Sequence, residues 1–483
     1  MGAKALIRAL SLLVSIVSLF MALCMAAAFA LGETGVALRA FLGPVLVGLS
    51  FFPLSNILIK GKNELSPRGG YLFVSLSWLI TSSFGALPFV LSGSIPQLAS
   101  ALFESMSGFT TTGATVLTDI EILPRSLLLW HATTHWLGGM GIVVLTVAVF
   151  PLLGLNGRTL MEAESPGPKV DKFTPRLSQT AAILWLIYLG LTLILAILLL
   201  FGGMDVIDAI THAFATMATG GFSTRNASVG AFNSAYIEWV ITLFMVLAGT
   251  NFGIHWRLLR GDLKGMFRDS EWRVYLGIFL CTSIFAGLNL HLKGGFENPV
   301  DALRSGAFHA ASILTTTGFA AGDYLLWPAF AQTVLFILMF IGGSAGSTAG
   351  GVKVGRILTL FKMGVAELRY LVNPRGIYGV FVGKNYMHKK VVYDIAAMVY
   401  LYLGLMLLST LVISAGGFDI LTSFSATLAC LGNIGPGFSL VGPALNYAFF
   451  PEWIKLWLSF IMLTGRLEVF TVIVLFTKAF RRA

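Results

Sequence analysis

The chain has 483 residues, of which 56 % are hydrophobic and only 11 % are charged. This composition excludes a soluble globular protein, because so many apolar side chains exceed what one water-soluble core buries. The formal net charge is +10, a balance that nucleic-acid-binding proteins share. The basic residues, however, are spread over several short loops between apolar runs. The composition therefore indicates a membrane protein without a nucleic-acid partner.

Long apolar runs recur from one end of the chain to the other. Each is near the roughly 20 residues that cross a bilayer as a helix, which predicts about ten spans. They lie near 5–31, 36–59, 70–92, 126–150, 179–202, 234–256, 274–293, 327–361, 391–415 and 453–477. The first run follows Lys4 and Arg8, as in a signal peptide, but it is too long and leads straight into a second span, which favours a retained helix.

The basic residues indicate the topology of these spans. If the amino terminus is cytoplasmic, most of the 32 Lys and Arg residues fall in loops on the cytoplasmic side. This bias is the positive-inside rule, so we predict that both termini are cytoplasmic. Contact of the basic loops with an acidic partner or anionic lipid is a second explanation.

Four connections on the outer side differ from ordinary loops. One contains SGFTTTGATV at 107–116, and the others begin at Asp205, Pro299 and Asp419. Each has Pro or Asp near its start, which suits a helix N-terminus. A helical run of about ten residues follows, too short to span a bilayer, and the segment ends in small polar residues and glycine. We predict four re-entrant half-helices, each between two spans.

The fold class follows from this repeat. We predict an all-α polytopic membrane protein in which four repeats of span, pore half-helix, filter loop and span surround a central pore. Irregular backbone at membrane depth requires such an enclosed or water-filled setting. The predicted domains are an N-terminal two-helix hairpin and four pore repeats, the third with an intramembrane gate loop: 1–65, 66–165, 166–265, 266–370 and 371–483.

The glycines that end the four segments predict a cation filter. They align as Gly113, Gly220, Gly318 and Gly435. Glycine permits backbone angles closed to other residues, stacked carbonyls replace the water of a dehydrated cation, and the C-terminal ends of the half-helices carry partial negative charge. Four acidic residues are candidates for concentrating cations at the outer mouth: Glu104, Asp119, Glu121 and Asp323.

These residues resemble the Trk/Ktr/HKT potassium-uptake superfamily, and its TrkH/TrkG branch in particular. The motifs that carry the resemblance cover nearly the whole chain: GFTTTGAT (108–115), WLGGMGIVVL (136–145), AESPGP (163–168), ATGGFST (218–224), GTNFGIHW (249–256), TTTGFA (315–320), IGGSAGSTAGGVKVGR (341–356), NIGPGFS (433–439) and MLTGRLEVF (462–470). The N-terminal hairpin also resembles this branch rather than KtrB, which lacks it.

The resemblance implies K⁺ selectivity, because a serine at the first filter glycine accompanies sodium transport in the superfamily and all four positions here are glycine. It implies K⁺ binding in the filter at Thr111, Thr112, Gly113, Thr219, Gly220, Thr316, Thr317, Gly318, Asn433, Ile434 and Gly435. The fourth loop departs most, since it has no threonine before its glycine, which implies weaker coordination there.

The run GGSAGSTAGG breaks the span at 327–361 and must line a cavity. The resemblance implies that this segment is the gate loop below the filter, at 342–355, with gating residues Gly346, Gly350, Gly351, Lys353 and Arg466. Arg466 resembles the family's arginine that contacts the loop, although packing with a snorkelling side chain is the alternative. A phosphate loop is excluded, because Val352 stands where that motif requires lysine.

The resemblance further implies partners and a location. The expected partners are a second copy of the chain, a cytoplasmic nucleotide-binding ring of the TrkA type and the lipid bilayer. The expected location is the bacterial inner membrane. K⁺ is the transported ion, and no cofactor is expected in this chain.

The one enzyme-like pattern is HATTH, with His131 and His135 on one helix face. A zinc protease requires HExxH, and Ala132 replaces its glutamate, so we interpret the pair as interfacial packing beside Trp130 and Trp136. We interpret His212 and His309, in two half-helices, as packing or hydrogen-bonding residues. The three cysteines have no metal-ligand spacing.

Three function classes are open to a membrane protein of this size. A membrane enzyme needs acids, bases or metal ligands at membrane depth, and this chain has almost none. A symporter coupled to H⁺ or Na⁺ is the alternative, but it favours two inverted repeats over four parallel ones. We therefore predict a transporter, not an enzyme, that takes up potassium through a gated, channel-like pore.

Overall fold

The structure is a computed structural model that describes residues 3–59, 67–141, 177–383, 385–478 and 480. This part of the chain is mostly helical. Its strands form a two-stranded antiparallel hairpin, Phe381–Val382 paired with Asn385–Tyr386. The predicted all-α class is confirmed.

A helical hairpin precedes the repeats. Its arms are Ala3–Ala30 and Thr34–Leu58, and the second arm includes a π-helical stretch at Ala37–Leu42. At the turn, Glu33 accepts hydrogen bonds from the backbone N–H groups of Arg125 and Ser126 at 2.8 and 3.0 Å. These N–H groups begin a helix of the first repeat and have no partner within that helix. The hairpin is thus fastened to the first repeat.

Four units of one design follow, each with a first span helix, a half-helix and a second span helix. The first span helices are Pro67–Gly85 with its extension Leu87–Ser92, Leu177–Phe201, Ser270–Lys293 and Lys389–Ser414. The half-helices are Leu98–Phe109, Val206–Met217, Pro299–Leu314 and Ile420–Leu431. The second span helices are Arg125–Gly139, Ala235–Ala248, Ala329–Leu338 and Glu452–Arg466.

Further helices lie after the second span helices: Phe252–Leu259, Leu263–Arg268, Val354–Val372 and Phe470–Phe476. The exact limits of the repeats remain predictions. The limits at 65/66 and 165/166, and the motif AESPGP, fall outside the described residues.

The predicted spans differ in continuity. Within the described residues, six are single helices long and apolar enough to cross a membrane. The spans predicted at 234–256 and 453–477 are each a pair of helices, which bend by 97° and 115° at a short break. After the first break, the Asn251 side chain accepts the Gly253 N–H at 2.7 Å and starts a new helix. At the second, Glu468 has a φ of +53°, which a helix does not accommodate.

The other two second spans are interrupted or only partly described. The helix that starts the span at 327–361 ends at Leu338, and the next begins at Val354, which confirms the predicted break. The span predicted at 126–150 begins with Arg125–Gly139 and then passes outside the described residues.

Side chains cap three of the half-helices, as their Asp and Pro starts predict. Asp205 accepts the Asp208 N–H at 2.9 Å, Asn298 that of Val300 at 3.0 Å, and Asp419 that of Thr422 at 2.9 Å. The hydroxyl and backbone N–H of Thr422 lower the pKa of the exposed Asp419 carboxyl. The first half-helix begins after Gln97 without a side-chain cap.

Burial is distributed as in a membrane protein with a protein-lined centre. Side chains of the half-helices such as Phe103, Phe109 and Phe308 are fully buried. The first span helices instead expose large apolar side chains, among them Leu193 and Phe285, as lipid-facing surfaces require. The half-helices therefore form the centre of the molecule.

Candidate ion-conduction site

Each half-helix leads into a three-residue loop, and we call these filter loops 1 to 4: residues 111–113, 219–221, 316–318 and 433–435. In every loop the middle N–H bonds to the carbonyl five residues earlier. The pairs are Thr112 to Ser107 at 2.9 Å, and Gly220 to Ala215, Thr317 to Ser312 and Ile434 to Ala429 at 2.8 Å each. The four loops are thus structurally equivalent.

The first and third residues of every filter loop have left-handed φ. The first residues Thr111, Thr219, Thr316 and Asn433 have φ of 53°, 55°, 56° and 52°; the third residues Gly113, Gly221, Gly318 and Gly435 have 79°, 82°, 80° and 93°. The alignment that placed Gly220 with the other three glycines is therefore corrected by one residue. Two adjacent glycines offer two registers, and spacing alone does not choose between them. Gly220 occupies the middle position of loop 2.

The third-position glycines, which we call ring glycines, abut the neighbouring loop in a closed cycle. A Cβ atom on Gly113, Gly221, Gly318 or Gly435 would stand 2.1, 2.0, 2.1 or 2.5 Å from the carbonyl oxygen of Gly220, Thr317, Ile434 or Thr112, respectively. Each ring glycine thus faces the middle carbonyl of the next loop, and loop 4 returns to loop 1. A ring of backbone carbonyls is the arrangement that coordinates a dehydrated monovalent cation.

The fourth loop keeps this backbone with different side chains. Asn433 donates through Nδ2 to Thr112 Oγ1 at 2.9 Å and to the Met462 carbonyl at 3.0 Å. Its side chain therefore ties loop 4 to loop 1 and to the last second span helix. The departure of this loop from the threonine pattern does not alter its φ angles.

The segments that follow the filter loops also join neighbouring repeats. Asn226 accepts the Ile120 N–H at 2.8 Å, joining repeats 1 and 2. Gly230 donates to the Ala320 carbonyl at 3.1 Å, joining repeats 2 and 3. The Tyr324 hydroxyl donates to the Gly437 carbonyl at 2.7 Å, and the Tyr447 N–H to the Thr115 carbonyl at 2.8 Å, joining repeats 3, 4 and 1. A second closed cycle thus stabilises the filter from outside.

The predicted outer mouth corresponds to a cavity of about 120 Å³ lined by the four ring glycines. The half-buried Asp119 and the exposed Glu121 accept hydrogen bonds from Asn226, which lines this cavity. Glu104 is fully buried, so its predicted place among the acidic residues of the mouth is wrong. Its carboxylate faces the protein interior and accepts the Val116 N–H, just after filter loop 1.

A second cavity of about 190 Å³ lies on the other side of the filter, where the second span helices end. The predicted gate loop lines it, at Gly346, Gly350 and Gly351. Gly350 donates its N–H to Thr316 Oγ1 of filter loop 3 at 2.6 Å. A Cβ on Gly350 would stand 2.4 Å from the Gly432 carbonyl, so the gate loop packs directly against the base of the filter.

Arg466 reaches this loop from the last second span helix. It donates to the Thr348 carbonyl at 2.8 Å and to the carbonyls of Gly138 and Gly139 at 2.8 and 2.9 Å. One guanidinium thus joins the gate loop to the end of the first repeat's second span helix. Glu468 pairs instead with Arg356 at 2.5 Å.

Two further residues hold the gate loop. Lys353, with a φ of 74°, donates to the Ala349 carbonyl. Glu271, on the third first span helix, accepts the N–H groups of Ala345 and Gly355 at 2.7 and 3.0 Å through one oxygen. Sequence reasoning missed Glu271, because it lies about 75 residues before the loop it holds and no local motif marks it.

The HATTH histidines are not interfacial, and that prediction is wrong. His131 and His135 are both buried, and His131 Nε2 lies 2.7 Å from Glu104 Oε1. The described residues contain no group of three or more His, Cys, Asp or Glu side chains placed to hold a metal. His212 and His309 make hydrogen bonds with the segments after their filter loops, as predicted.

A ring of four backbone loops, with a cavity on each side and a glycine-rich loop packed against its base, defines a channel-like cation-transport protein. The comparisons with known proteins give the particular family. The sequence matches the family TrkH, described as a cation transport protein, over residues 45–280 and 297–482. The chain belongs to the TrkH family and is a transporter, not an enzyme.

Relatives with established names share most of their length with this chain. The Trk system potassium uptake protein TrkH of Salmonella typhimurium is 43 % identical over 427 residues, 88 % of each chain. The TrkG protein of Escherichia coli is 36 % identical over 88 % of this chain and 87 % of its own. The crystal structure of the potassium transporter TrkH from Vibrio parahaemolyticus superposes with a TM-score of 0.88 at 35 % identity, over 100 % of both chains.

Proposed function

We propose that this protein takes K⁺ into the cell through a single-chain, gated pore. The observation that carries the proposal is the closed cycle in which each ring glycine abuts the middle carbonyl of the next filter loop. The printed names of the relatives, potassium uptake proteins and a potassium transporter, support K⁺ as the cargo. All four ring positions are glycine, so no Cβ atom narrows the ring.

We propose that backbone carbonyls of the four filter loops replace the water around K⁺. The proposed set is the one predicted from the sequence, Thr111, Thr112, Gly113, Thr219, Gly220, Thr316, Thr317, Gly318, Asn433, Ile434 and Gly435, with Gly221 added as the ring glycine of loop 2. Left-handed φ at the first and third residues of each loop, and not at the middle residue, supports an arrangement in which successive carbonyls face the pore. The ends of four half-helices add partial negative charge behind the ring.

Below the filter, we propose that residues 342–355 close the pore and that Gly346, Gly350, Gly351, Lys353 and Arg466 control this closure. The loop is attached to Thr316 of the filter on one face and to Arg466 on the other. A loop held by a few hydrogen bonds in a cavity is a suitable two-state element.

The proposed setting is the bacterial inner membrane with both termini cytoplasmic, and the proposed assembly is a homodimer with a nucleotide-binding ring of the TrkA type. The basic loops support this orientation. We favour a pore over coupled symport, because the filter loops form one cycle of four rather than two inverted halves.

The test is ⁸⁶Rb⁺ uptake into liposomes that contain the purified protein, with K⁺ and Na⁺ as competitors. We expect uptake that K⁺ suppresses, a lower preference for K⁺ over Na⁺ in Gly113→Ser, and uptake without closure when residues 346–350 are deleted. Unchanged selectivity in the first variant would contradict the filter assignment, and unchanged flux in the second the gate assignment. Growth of a potassium-uptake-deficient cell on low potassium is an independent test of K⁺ uptake.

A further inference from the structure

One position on the half-helices bonds to the segment that leaves the filter loop in three of the four repeats. It lies nine residues before the ring glycine and is occupied by Glu104, His212, His309 and Ala426. His212 Nε2 lies 2.9 Å from Ser223 Oγ, and His309 Nε2 lies 3.1 Å from the Gly322 carbonyl. In the fourth repeat the adjacent Ser425 hydroxyl accepts the Phe438 N–H at 2.5 Å. Only the first repeat has a carboxylate at this position.

Glu104 holds the segment after filter loop 1 through both of its oxygens. Oε2 accepts the Val116 N–H at 2.7 Å, and Oε1 accepts the Thr115 hydroxyl at 2.7 Å. The Thr115 hydroxyl in turn accepts the Leu117 N–H at 3.0 Å. These bonds fix the backbone two and three residues after Gly113, the ring glycine.

Glu104 is also connected to filter loop 2. His131 Nε2 lies 2.7 Å from Glu104 Oε1, and the His131 ring stacks on Phe222 with centroids 3.4 Å apart and planes 16° apart. His135 covers the other face of Phe222 at 3.9 Å. Phe222 directly follows Gly221, so this chain of contacts joins the exits of two neighbouring filter loops.

The burial of this pair points to a specific role. Glu104 has no solvent exposure and His131 has 2 %, and a buried carboxylate is tolerated only where hydrogen bonds satisfy it. Three partners do so here, two of which belong to the filter exit. A ring that discriminates between ions must hold its ligands to within about 0.5 Å, and rigid supporting contacts provide that precision.

We propose that Glu104 is a positioning residue for ion selectivity: by its reach, it fixes the exits of filter loops 1 and 2 and thereby the spacing of the carbonyls at Thr112 and Gly220. The proposal rests on the proposed K⁺ pore. It assigns the role to the length and hydrogen bonds of the side chain, not to its negative charge.

Two substitutions separate reach from charge. Glu104→Gln keeps the length, accepts the Val116 N–H through its oxygen and donates to Thr115 and His131 through its amide. Glu104→Asp keeps the charge but is shorter by one carbon–carbon bond, about 1.5 Å, and leaves Val116 out of reach. The measurement is ⁸⁶Rb⁺ uptake with Na⁺ as competitor, per amount of folded protein judged by size-exclusion chromatography.

We expect Glu104→Gln to keep the parental Rb⁺/Na⁺ preference within about twofold and Glu104→Asp to reduce it about tenfold, because a misplacement near 1 Å is enough to impair a site of this kind. Ser100→Ala is the matched control on the same half-helix. Ser100 is buried, and its hydroxyl donates to Glu452 at 2.9 Å and accepts from Lys455 at 3.0 Å rather than bonding to the filter exit, so removing the hydroxyl should leave the preference unchanged.

The outcomes are distinct. A loss of preference in Glu104→Gln alone assigns the effect to charge and overturns the proposal. A loss in both variants, or a parental preference in both, also overturns it, because the reach of the side chain then does not distinguish the two variants. If Glu104→Asp does not fold, Thr115→Val removes one partner of the carboxylate at nearly constant shape. A reduced preference in Thr115→Val supports the proposal, and a parental one overturns it. Failure of the unsubstituted protein to take up Rb⁺ would contradict the proposed pore, and this result is distinguishable from a change of preference in the variants.

Discussion

The corrected register of filter loop 2 leads to a sharp prediction for Gly221→Ala. The new Cβ would stand 2.0 Å from the Thr317 carbonyl oxygen, whereas real Cβ atoms essentially never approach closer than 3.0 Å. The carbonyl must therefore move by about 1 Å, twice the tolerance of roughly 0.5 Å for a preorganised site. The φ of 82° adds a backbone penalty of about 1–2 kcal/mol for a residue with a Cβ. We expect the preference for K⁺ over Na⁺ to fall roughly tenfold to a hundredfold.

Gly220→Ala provides the comparison, because its conflict has a different origin. Its Cβ would meet the His135 ring at 2.3 Å, a side chain rather than a filter carbonyl. Gly220 also has no left-handed φ. We therefore expect Gly220→Ala to reduce the preference for K⁺ less than Gly221→Ala does, because it displaces a side chain and adds no left-handed backbone strain.

The assay is competitive ⁸⁶Rb⁺ uptake in liposomes with equal amounts of folded protein. A Gly221→Ala protein that selects K⁺ as the parent does would refute the assignment of Gly221 to the ring. A greater loss of preference in Gly220→Ala than in Gly221→Ala would restore the original register.

Three further predictions concern the gate and the half-helices. Arg466→Gln should raise ⁸⁶Rb⁺ uptake roughly tenfold when no partner protein is present, because hydrogen bonds from a charged group stabilise the closed state by about 1.5–3 kcal/mol. Equal uptake by the parent protein and the variant would contradict this role of Arg466. Glu271→Leu should speed hydrogen exchange at residues 345–355, since two part-buried N–H groups lose the oxygen that accepts them both. Glu271→Gln keeps an acceptor oxygen at this position and serves as the control. Asp419 has a lowered pKa, so its capping stabilises the fold at neutral pH and is lost as the pH falls through that pKa. The unfolding temperature of Asp419→Asn should therefore decline less on acidification than that of the parent protein. An identical decline in both proteins would exclude the Asp419 cap as the source of the acid sensitivity.

The sequence predicts the class and repeat of this fold because both depend on local patterns. Apolar runs of spanning length, helix starts at Asp or Pro and small polar residues before glycine are each readable within one segment. The break after Leu338 is also readable, since ten consecutive small residues do not form a lipid-exposed helix. The family resemblance then supplies roles that no local pattern contains.

What the sequence does not predict depends on contacts between distant segments. The breaks after Ala248 and Arg466 arise where the chain meets the gate loop, and the apolar sequence around them reads as continuous helix. The burial of Glu104 becomes evident only when its half-helix is oriented, because a carboxylate near an outer loop ordinarily faces water. The spacing of nine residues before each ring glycine is the one signal that would have placed Glu104 with His212 and His309.

One chain supplies all four filter loops and both closed cycles, the ring of filter loops and the contacts between the segments that follow them. This architecture therefore permits substitutions in a single loop, which a homotetrameric filter does not. In a channel built from four identical subunits, one substitution alters four equivalent positions at once. Here a substitution alters one quarter of the ring, and the other three keep their geometry through separate partners, as Asn433 in loop 4 illustrates. In this architecture, ion preference can therefore be changed one filter loop at a time, because each loop is held by its own side chains.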